Sequence, residues 1–270
     1  SLLPERDPWG HKGSFGKVLL LCGSRGFTGA AYLAAMGALR VGTGLVFAGV
    51  PESIYPIEAV KMTEPVVFPL PEDDGKLSAQ AAEPILERLT GMDAVLIGCG
   101  LGISGGTRAV VKAVLETAEC PVVLDADGIS LLSGHMDILR GRRGPIVLTP
   151  HDGEFARVGG VVGEDRMAPA ADFARENGCI LLLKGHQTCV TDGSLGYRNR
   201  TGNAGMAVGG SGDVLAGMIV GLLAQGMEPL KAAACGAWLH GAAGDLCARE
   251  LGQRAMLPTD MLEALPRLLK

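Results

Sequence analysis

The chain is poor in aromatic side chains: six Phe, three Tyr and two Trp, 4% of its 270 residues. Proteins that hold single-stranded nucleic acid stack bases on such rings, and those that follow a phosphate backbone carry a basic face. Here the net charge is −5 and no long basic run occurs, so nucleic acid is excluded as the expected partner. The seven cysteines (Cys22, Cys99, Cys120, Cys179, Cys189, Cys235 and Cys247) contain no CxxC pair. Most lie in or beside apolar runs, which reads as buried free thiols in a reducing compartment. His11, His135, His151, His186 and His240 add no metal-spaced cluster. No signal-peptide pattern is found, and the longest apolar stretch, "VLAGMIVGLLAQGM", falls short of the about 20 residues of a membrane span. It reads as a core helix of a cytoplasmic protein. The sequence begins at Ser1 rather than methionine, which leaves open excision from a longer polypeptide. The P-loop pattern GxxxxGK[ST] is also missing.

What is present is apolar and glycine-rich: 47% hydrophobic residues and 41 glycines. Continuous apolar runs recur at Lys17–Cys22, Gly44–Gly49, Ala94–Gly98, Pro121–Asp125, Pro145–Leu148 and Cys179–Lys184. Runs without polar alternation suit strands buried on both faces. Helical patterns fall between them, at Gly29–Val41, Ser78–Leu89 (with Ser78 as cap), Gly106–Ala118 and Ala168–Gly178, and the stretch Asp213–Leu251 is mostly helical. Alternating strands and helices imply a largely parallel sheet covered on both sides. Without a composition break or an internal repeat, residues 1–270 are expected to form a single domain.

Unusual loops follow the strands: "GSRGFTG", "CGLG", "ADG", "TPHDGE" and "KGHQT". In an open α/β sheet such loops converge at the carboxyl edge, where ligands bind. The stretch "GGSGDVLAG" adds a glycine loop at a helix start, which offers free N–H groups to an anion such as phosphate. Asp213 carries the wrong charge to bind that phosphate. It is placed to act as a base on a hydroxyl attacking phosphorus, with the N–H groups of Gly210, Ser211 and Gly212 as an anion hole. The plainer reading is a helix N-cap.

Lys184 and Thr188 flank a turn and can hold nucleotide oxygens, or form a plain hairpin whose second strand opens at Thr188. His151 and Glu154 follow a strand, where His151 can contact a ligand or serve only the turn. Asp125 and Asp127 can position Mg²⁺ through water or cap a short helix. "GLGISG" (Gly100–Gly105) matches G-x-G-x-x-G after a strand, with Asp125 ending the next, so an oxidoreductase is a rival. Against it, Ser104 and Gly105 open a helix poorly, and the reading leaves "KGHQT" and "GGSGD" without roles.

In their order along the chain, "GSRGFTGAAYLAA", "GCGLG", "TPHDGE", "KGHQT" and "NAGMAVGGSGDVLAGMIVGLLAQG" resemble the ADP- or ATP-dependent NAD(P)H-hydrate dehydratases. "GGSGD" resembles the glycine-aspartate signature of the wider ribokinase-like superfamily. The resemblance runs from about Lys12 to the last helices. It departs at Cys99, where the family usually has proline, and at Ser211, where threonine is usual.

The resemblance implies an α/β ribokinase-like three-layer sandwich. It implies repair of hydrated NADH or NADPH by phosphorylation of the ring hydroxyl and loss of phosphate. It assigns nucleotide contacts to Lys184, Gly185, His186, Gln187, Thr188 and Gly212, and contacts with the hydrated dinucleotide to Ala30, Gly102, His151 and Asp213. Mg²⁺ would accompany ADP or ATP, with no metal ligand assigned on the chain. It also implies a homotetramer and an epimerase partner, fused or separate, with no epimerase domain expected in this sequence. The alternative is a ribokinase-like kinase of a small alcohol such as a vitamin precursor.

Overall fold

The computed structural model describes residues 3–269; positions 1, 2 and 270, at the ends of the expected 1–270 domain, lie outside the described residues. Among the described residues eleven strands are formed: β1 Lys17–Leu21, β2 Leu45–Pro51, β3 Val66–Leu70, β4 Glu72–Asp73, β5 Lys76–Leu77, β6 Ala94–Ile97, β7 Val122–Leu124, β8 Ile146–Leu148, β9 Ile180–Leu183, β10 Cys189–Thr191 and β11 Gly196–Arg198. The α-helices are α1 Thr28–Arg40, α2 Tyr55–Lys61, α3 Ala82–Leu89, α4 Gly105–Thr117, α5 Asp127–Ser130, α6 Asp152–Arg157, α7 Met167–Asn177, α8 Ser211–Ala224, α9 Pro229–Leu251 and α10 Pro258–Leu268.

Nine strands make one sheet in the order β11-β10-β9-β8-β7-β6-β1-β2-β3, and β4 with β5 forms a separate small hairpin. From β9 through β3 the pairing is parallel; β10 and β11 turn back antiparallel at the edge. The apolar runs are continuous because both faces are covered. In β1, Val18 and Leu20 enter the core beneath α1, α8, α9 and α10, whereas Leu19 and Leu21 enter the opposite core with α3, α4 and α7. The result is a helix–sheet–helix sandwich.

The expected strands and helices form, with ends displaced by a residue or two; β10 begins at Cys189 rather than Thr188. Three local expectations are corrected. β3, "VVFPL", went unforeseen because Pro69 breaks the strand pattern; it lies at the sheet edge, where proline is tolerated, and is held by pairing with β2. Ser78 makes no side-chain cap bond, and its helix begins instead as a 3-10 turn at Ala79–Ala81. Ser104, expected to open a helix poorly, caps α4 in a reciprocal box with Thr107. Its hydroxyl accepts from the Thr107 N–H at 3.0 Å, and the Thr107 hydroxyl accepts from the Ser104 N–H at 2.9 Å.

The topology fixes where a ligand can sit. The chain runs outward from β1 to β3, then crosses to β6 on the other side of β1 and continues to β9. The loops leaving β1 and β6 therefore diverge at a switch point, where a crevice opens. They remain tied below it, because the Gly23 N–H donates to the Cys99 carbonyl at 2.8 Å.

Candidate active site

The glycine loop ends on Gly210, which caps α8 with φ of +97°, a left-handed conformation that glycine adopts without strain. This turn puts Ser211, Gly212 and Asp213 in the first turn of α8, so Asp213 is a first-turn acid and not the N-cap. Asp213 lies beside the Cys99 thiol and the Asp125 carboxylate; one potential ligand atom from each of the three falls within 4.8 Å of the others. The expected anion hole changes in one member. The Ser211 N–H donates to the Val208 carbonyl at 3.3 Å, whereas among the described residues the N–H groups of Gly210 and Gly212 have no hydrogen-bond partner. Behind them, the His240 ring on α9 places Nε2 2.9 Å from the Ser211 carbonyl. Burial pushes His240 down to about 4, so it stays neutral and donates.

Lys184 leaves the end of β9 and turns back into the site. Its ammonium lies 2.6 Å from Asp125 Oδ1 and 3.9 Å from Glu154 Oε2. Burial alone would lower its proton affinity, but the two carboxylates outweigh it and Lys184 is held above the usual lysine range. The next residues form a turn in which Thr188 Oγ1 donates to the Gly185 carbonyl at 3.1 Å and Gln187 takes φ of +56°. Arg166, which the sequence did not single out, braces this turn through the Lys184 carbonyl at 2.7 Å and pairs with Asp152.

A cavity of about 880 Å³ is lined by His151, Lys184, Gly185, His186, Gln187, Thr188, Ser211 and Gly212, with His240, Asn199, Asn203 and Gln253 among the further walls. A smaller cleft of about 480 Å³ shares His186 and Gln187 and adds Arg198 and Arg200. The six candidate nucleotide residues and His151 thus meet at one cavity. Asn199, His240 and Gln253 carried no local motif that could have marked them, and Asn203 opens the "NAGMAVGGSGD" stretch without having been given a role. His151 caps α6: its Nδ1 accepts from the N–H groups of Gly153 and Glu154 at 3.0 and 3.3 Å, and the Glu154 carboxylate accepts from the His151 N–H at 2.9 Å. The turn therefore already uses Nδ1 of the ring that the resemblance gave to substrate.

Gly210 and Asp213 stand behind the wall that Ser211 and Gly212 form. Ala30 and Gly102 do not line this cavity either. They belong to the switch-point loops, where a Cβ built on Gly100 would lie 2.9 Å from that of Ala30, and one on Gly102 would meet the Lys76 side chain on β5. The Gly102 N–H donates to Asp127 Oδ2 at 2.8 Å. Between the two acids Ala126 takes φ of +48°, a strained conformation that sends Asp125 toward Lys184 and leaves Asp127 on Gly102. The site so far comprises a nucleotide-sized cavity, the paired switch-point loops and a half-buried acid in the first turn of a helix.

A family model described as NAD(P)H-hydrate dehydratase matches residues 18–267. The chain belongs to the NAD(P)H-hydrate dehydratase family. A bifunctional NAD(P)H-hydrate repair enzyme of Moorella thermoacetica is 49% identical, over 100% of this chain and 52% of that protein. The chain therefore spans about half the length of that relative. An ADP-dependent (S)-NAD(P)H-hydrate dehydratase of Bacillus subtilis is 36% identical, over 99% of this chain and 94% of that protein. The crystal structure of the Bacillus subtilis ADP/ATP-dependent NAD(P)H-hydrate dehydratase, co-crystallized with ATP and Mg²⁺, superposes with a TM-score of 0.83 at 33% identity, covering 98% of this chain and 93% of that one. The sandwich is ribokinase-like, as expected.

In this dehydratase-family site, burial pushes Asp213 up to about 6, and the neighbouring Asp125 charge adds to it; Cys99 and Lys184 pull the other way. A carboxylate poised there is a competent base near neutrality. Cys99 is held above the usual thiol range by the Cys22 thiol, by burial and by the two carboxylates, so it remains an S–H donor. The donors do not suit a resident Mg²⁺, which prefers oxygen ligands in octahedral array. Lys184 and Cys99 engage Asp125, the Gly102 N–H engages Asp127, the His151 N–H engages Glu154, and the trio around Asp213 includes a thiol. The ammonium of Lys184 holds the place of a cation. Among the described residues no helix is long and apolar enough to cross a membrane.

Proposed function

We propose that the chain dehydrates the S-epimer of hydrated NADH or NADPH at the expense of ADP or ATP. Asp213 removes the proton as the ring hydroxyl attacks the terminal phosphorus, and the P–O bond to the nucleotide breaks. The Gly210 and Gly212 N–H groups, with the helix dipole behind them, receive the charge that develops on the transferred group. The ring nitrogen lone pair then expels phosphate as the C–O bond breaks, and loss of a proton from the adjacent carbon restores the ring double bond. No strong acid is needed, because phosphorylation has already made a good leaving group. Lys184, Gly185, His186, Gln187, Thr188 and Gly212 hold the nucleotide, with Mg²⁺ arriving on its phosphates and water rather than on protein ligands. Ala30, Gly102 and His151 face the hydrated dinucleotide with Asp213.

The observation that carries this reading is the half-buried Asp213 carboxylate in the first turn of α8, next to Gly212, whose unpaired N–H lies at the wall of a nucleotide-sized cavity. The family and the Bacillus subtilis relatives supply the substrate. We assign the chain to the cytoplasm, as one domain in a homotetramer, with an epimerase fused to it or acting separately.

The test is to supply hydrated NADH with ADP or ATP and follow the return of reduced-nicotinamide absorbance. Absorbance returns under the proposal. Phosphorylation of a small alcohol with no return of NADH would establish a vitamin-precursor kinase instead. Asp213→Asn is expected to lower turnover by about 10²–10⁴-fold, the usual worth of a general base, while nucleotide affinity stays largely intact. Near-normal turnover in that variant would remove Asp213 from the base role.

A further inference from the structure

The charges around Asp213 form a chain with a geometry of its own. Asp125, 1% exposed, places Oδ1 2.6 Å from Lys184 Nζ, and its Oδ2 accepts from the Cys99 thiol at 3.7 Å. A Cβ built on Gly212 would lie 3.4 Å from Lys184 Nζ and 3.7 Å from Asp125 Oδ2. The ammonium therefore lies directly against the glycine whose N–H faces the transferred group. A lone lysine on a flexible stem would sample many positions; a buried partner at hydrogen-bond distance selects one.

We propose that Asp125 is a positioning residue for phosphoryl transfer: by pairing with Lys184 it holds a cation against Gly212, and it sets a second carboxylate beside Asp213. The inference rests on the function proposed above and deepens it, because the cation supplied by the chain itself then meets the phosphoryl charge. The groups facing Asp213 are Asp125 from the end of β7, Cys99 from the end of β6 and Lys184 from the end of β9. Beyond them stand Cys22 behind Cys99, Glu154 on α6 against Lys184, and neutral His240 on α9. Asp125 disfavours the ionised base and Lys184 favours it, so removing either must move the base in opposite directions.

Two readouts separate this inference from the function it rests on. The first is ¹³C-carboxyl NMR of the aspartates in the full chain, with the Asp213 signal assigned from Asp213→Asn. It needs no turnover. Asp125→Asn is expected to lower the Asp213 midpoint by about one pH unit, and Lys184→Met to raise it by about as much. A residue serving only packing gives no such pair of opposite shifts. The second is kinetics: the acid limb of kcat follows the same two directions, and kcat falls at least about tenfold in both variants while KM for the hydrated dinucleotide changes little.

Lys184→Met leaves the buried Asp125 charge without its ammonium, and Asp125→Asn leaves Lys184 only Glu154 at 3.9 Å, so either single variant can fail to fold. The charge-neutral double variant Asp125→Asn/Lys184→Met avoids this. Its Asp213 midpoint should return close to that of the parent, with kcat still low because no cation stands at Gly212. An unmoved or raised midpoint in Asp125→Asn, or parental kcat in the double variant, would overturn the proposal. A parent protein inactive on hydrated NADH, with the opposite shifts intact, would instead overturn the function and leave the electrostatic unit standing.

Discussion

Asp213 is destabilising for the same reason that it is useful. Its folded-state value of about 6 lies above the usual aspartate value of 3.8, so the native state prefers the protonated form. The contribution of such a group is fully favourable below its unfolded value and is lost as pH rises through about 6. At pH 8 the ionised acid costs stability on the order of 2–3 kcal/mol, at about 1.4 kcal/mol per unit. Asp213→Asn is therefore expected to melt higher than the parent at pH 8, by about 2–4 °C per kcal/mol recovered, and to match it at pH 3. Glu58, buried on α2 with neither carboxylate oxygen hydrogen-bonded and Lys61 at 4.0 Å, is pushed up to about 7 by burial and has the same sign. It is common to both proteins and cancels in the difference. Thermal unfolding of the pair at both pH values is the measurement; equal melting temperatures at pH 8 would mean that the carboxylate is not desolvated. The acid limb of turnover should lie near the same value, because the base is idle once protonated.

At the scale of elements, α8 is placed by its contact with α1, and glycine makes that contact possible. A Cβ on Gly217 would collide with the Ala34 carbonyl, and one on Gly37 would lie 2.5 Å from the Val214 carbonyl. The two helices meet backbone to backbone. Their approach sets where the first turn of α8, and with it Asp213, points. Gly217→Ala should force them apart, costing about 1–3 kcal/mol as overpacking usually does, and should lower kcat through the displaced first turn. Gly105→Ala provides the contrast: it opens α4, its Cβ meets nothing within 4 Å, and it should be neutral or slightly stabilising. Denaturant midpoints and kcat of the two variants decide; a Gly217→Ala protein as stable as Gly105→Ala would remove the contact from the argument. The apolar run after Asp213 was legible as a core helix because almost every residue in it is apolar. Which helix it meets was not legible, because glycine marks a close approach without naming the partner. The same holds at the site. Asp213 and the Lys184 turn stood out through local composition, whereas the pairing of Lys184 with Asp125 joins residues 59 positions apart and leaves no trace in spacing. The box at Ser104 was missed because threonine stands where the usual pattern has glutamate or glutamine.

Across the whole molecule the cysteines report how tightly the sandwich closes. The seven are free thiols, and Cys120 alone is partly exposed. Thiolate, not thiol, is the reactive form. Burial pushes Cys179 up to about 12 and raises Cys120, Cys189, Cys235 and Cys247 as well. The native protein should therefore react with a thiol reagent at Cys120 only, and slowly, while all seven react in denaturant. Reaction of the remainder measures the rate of opening rather than intrinsic reactivity. Cys22 and Cys99 end β1 and β6 beneath the switch point, so they can be reached only when the crevice parts from the sheet below it. Nucleotide bound at about 100 times its Kd favours the closed form by about 2.7 kcal/mol, a factor of about 100 in the open population. Modification of Cys22 and Cys99 should slow by up to that factor, while Cys120, before the amino end of β7 and already partly exposed, keeps its rate. Mass-resolved alkylation with and without ADP reads each thiol separately. Rapid native reaction at Cys99, or rates at Cys22 and Cys99 that ignore nucleotide, would mean that ligand binding and closure of the β1–β6 crevice are independent events.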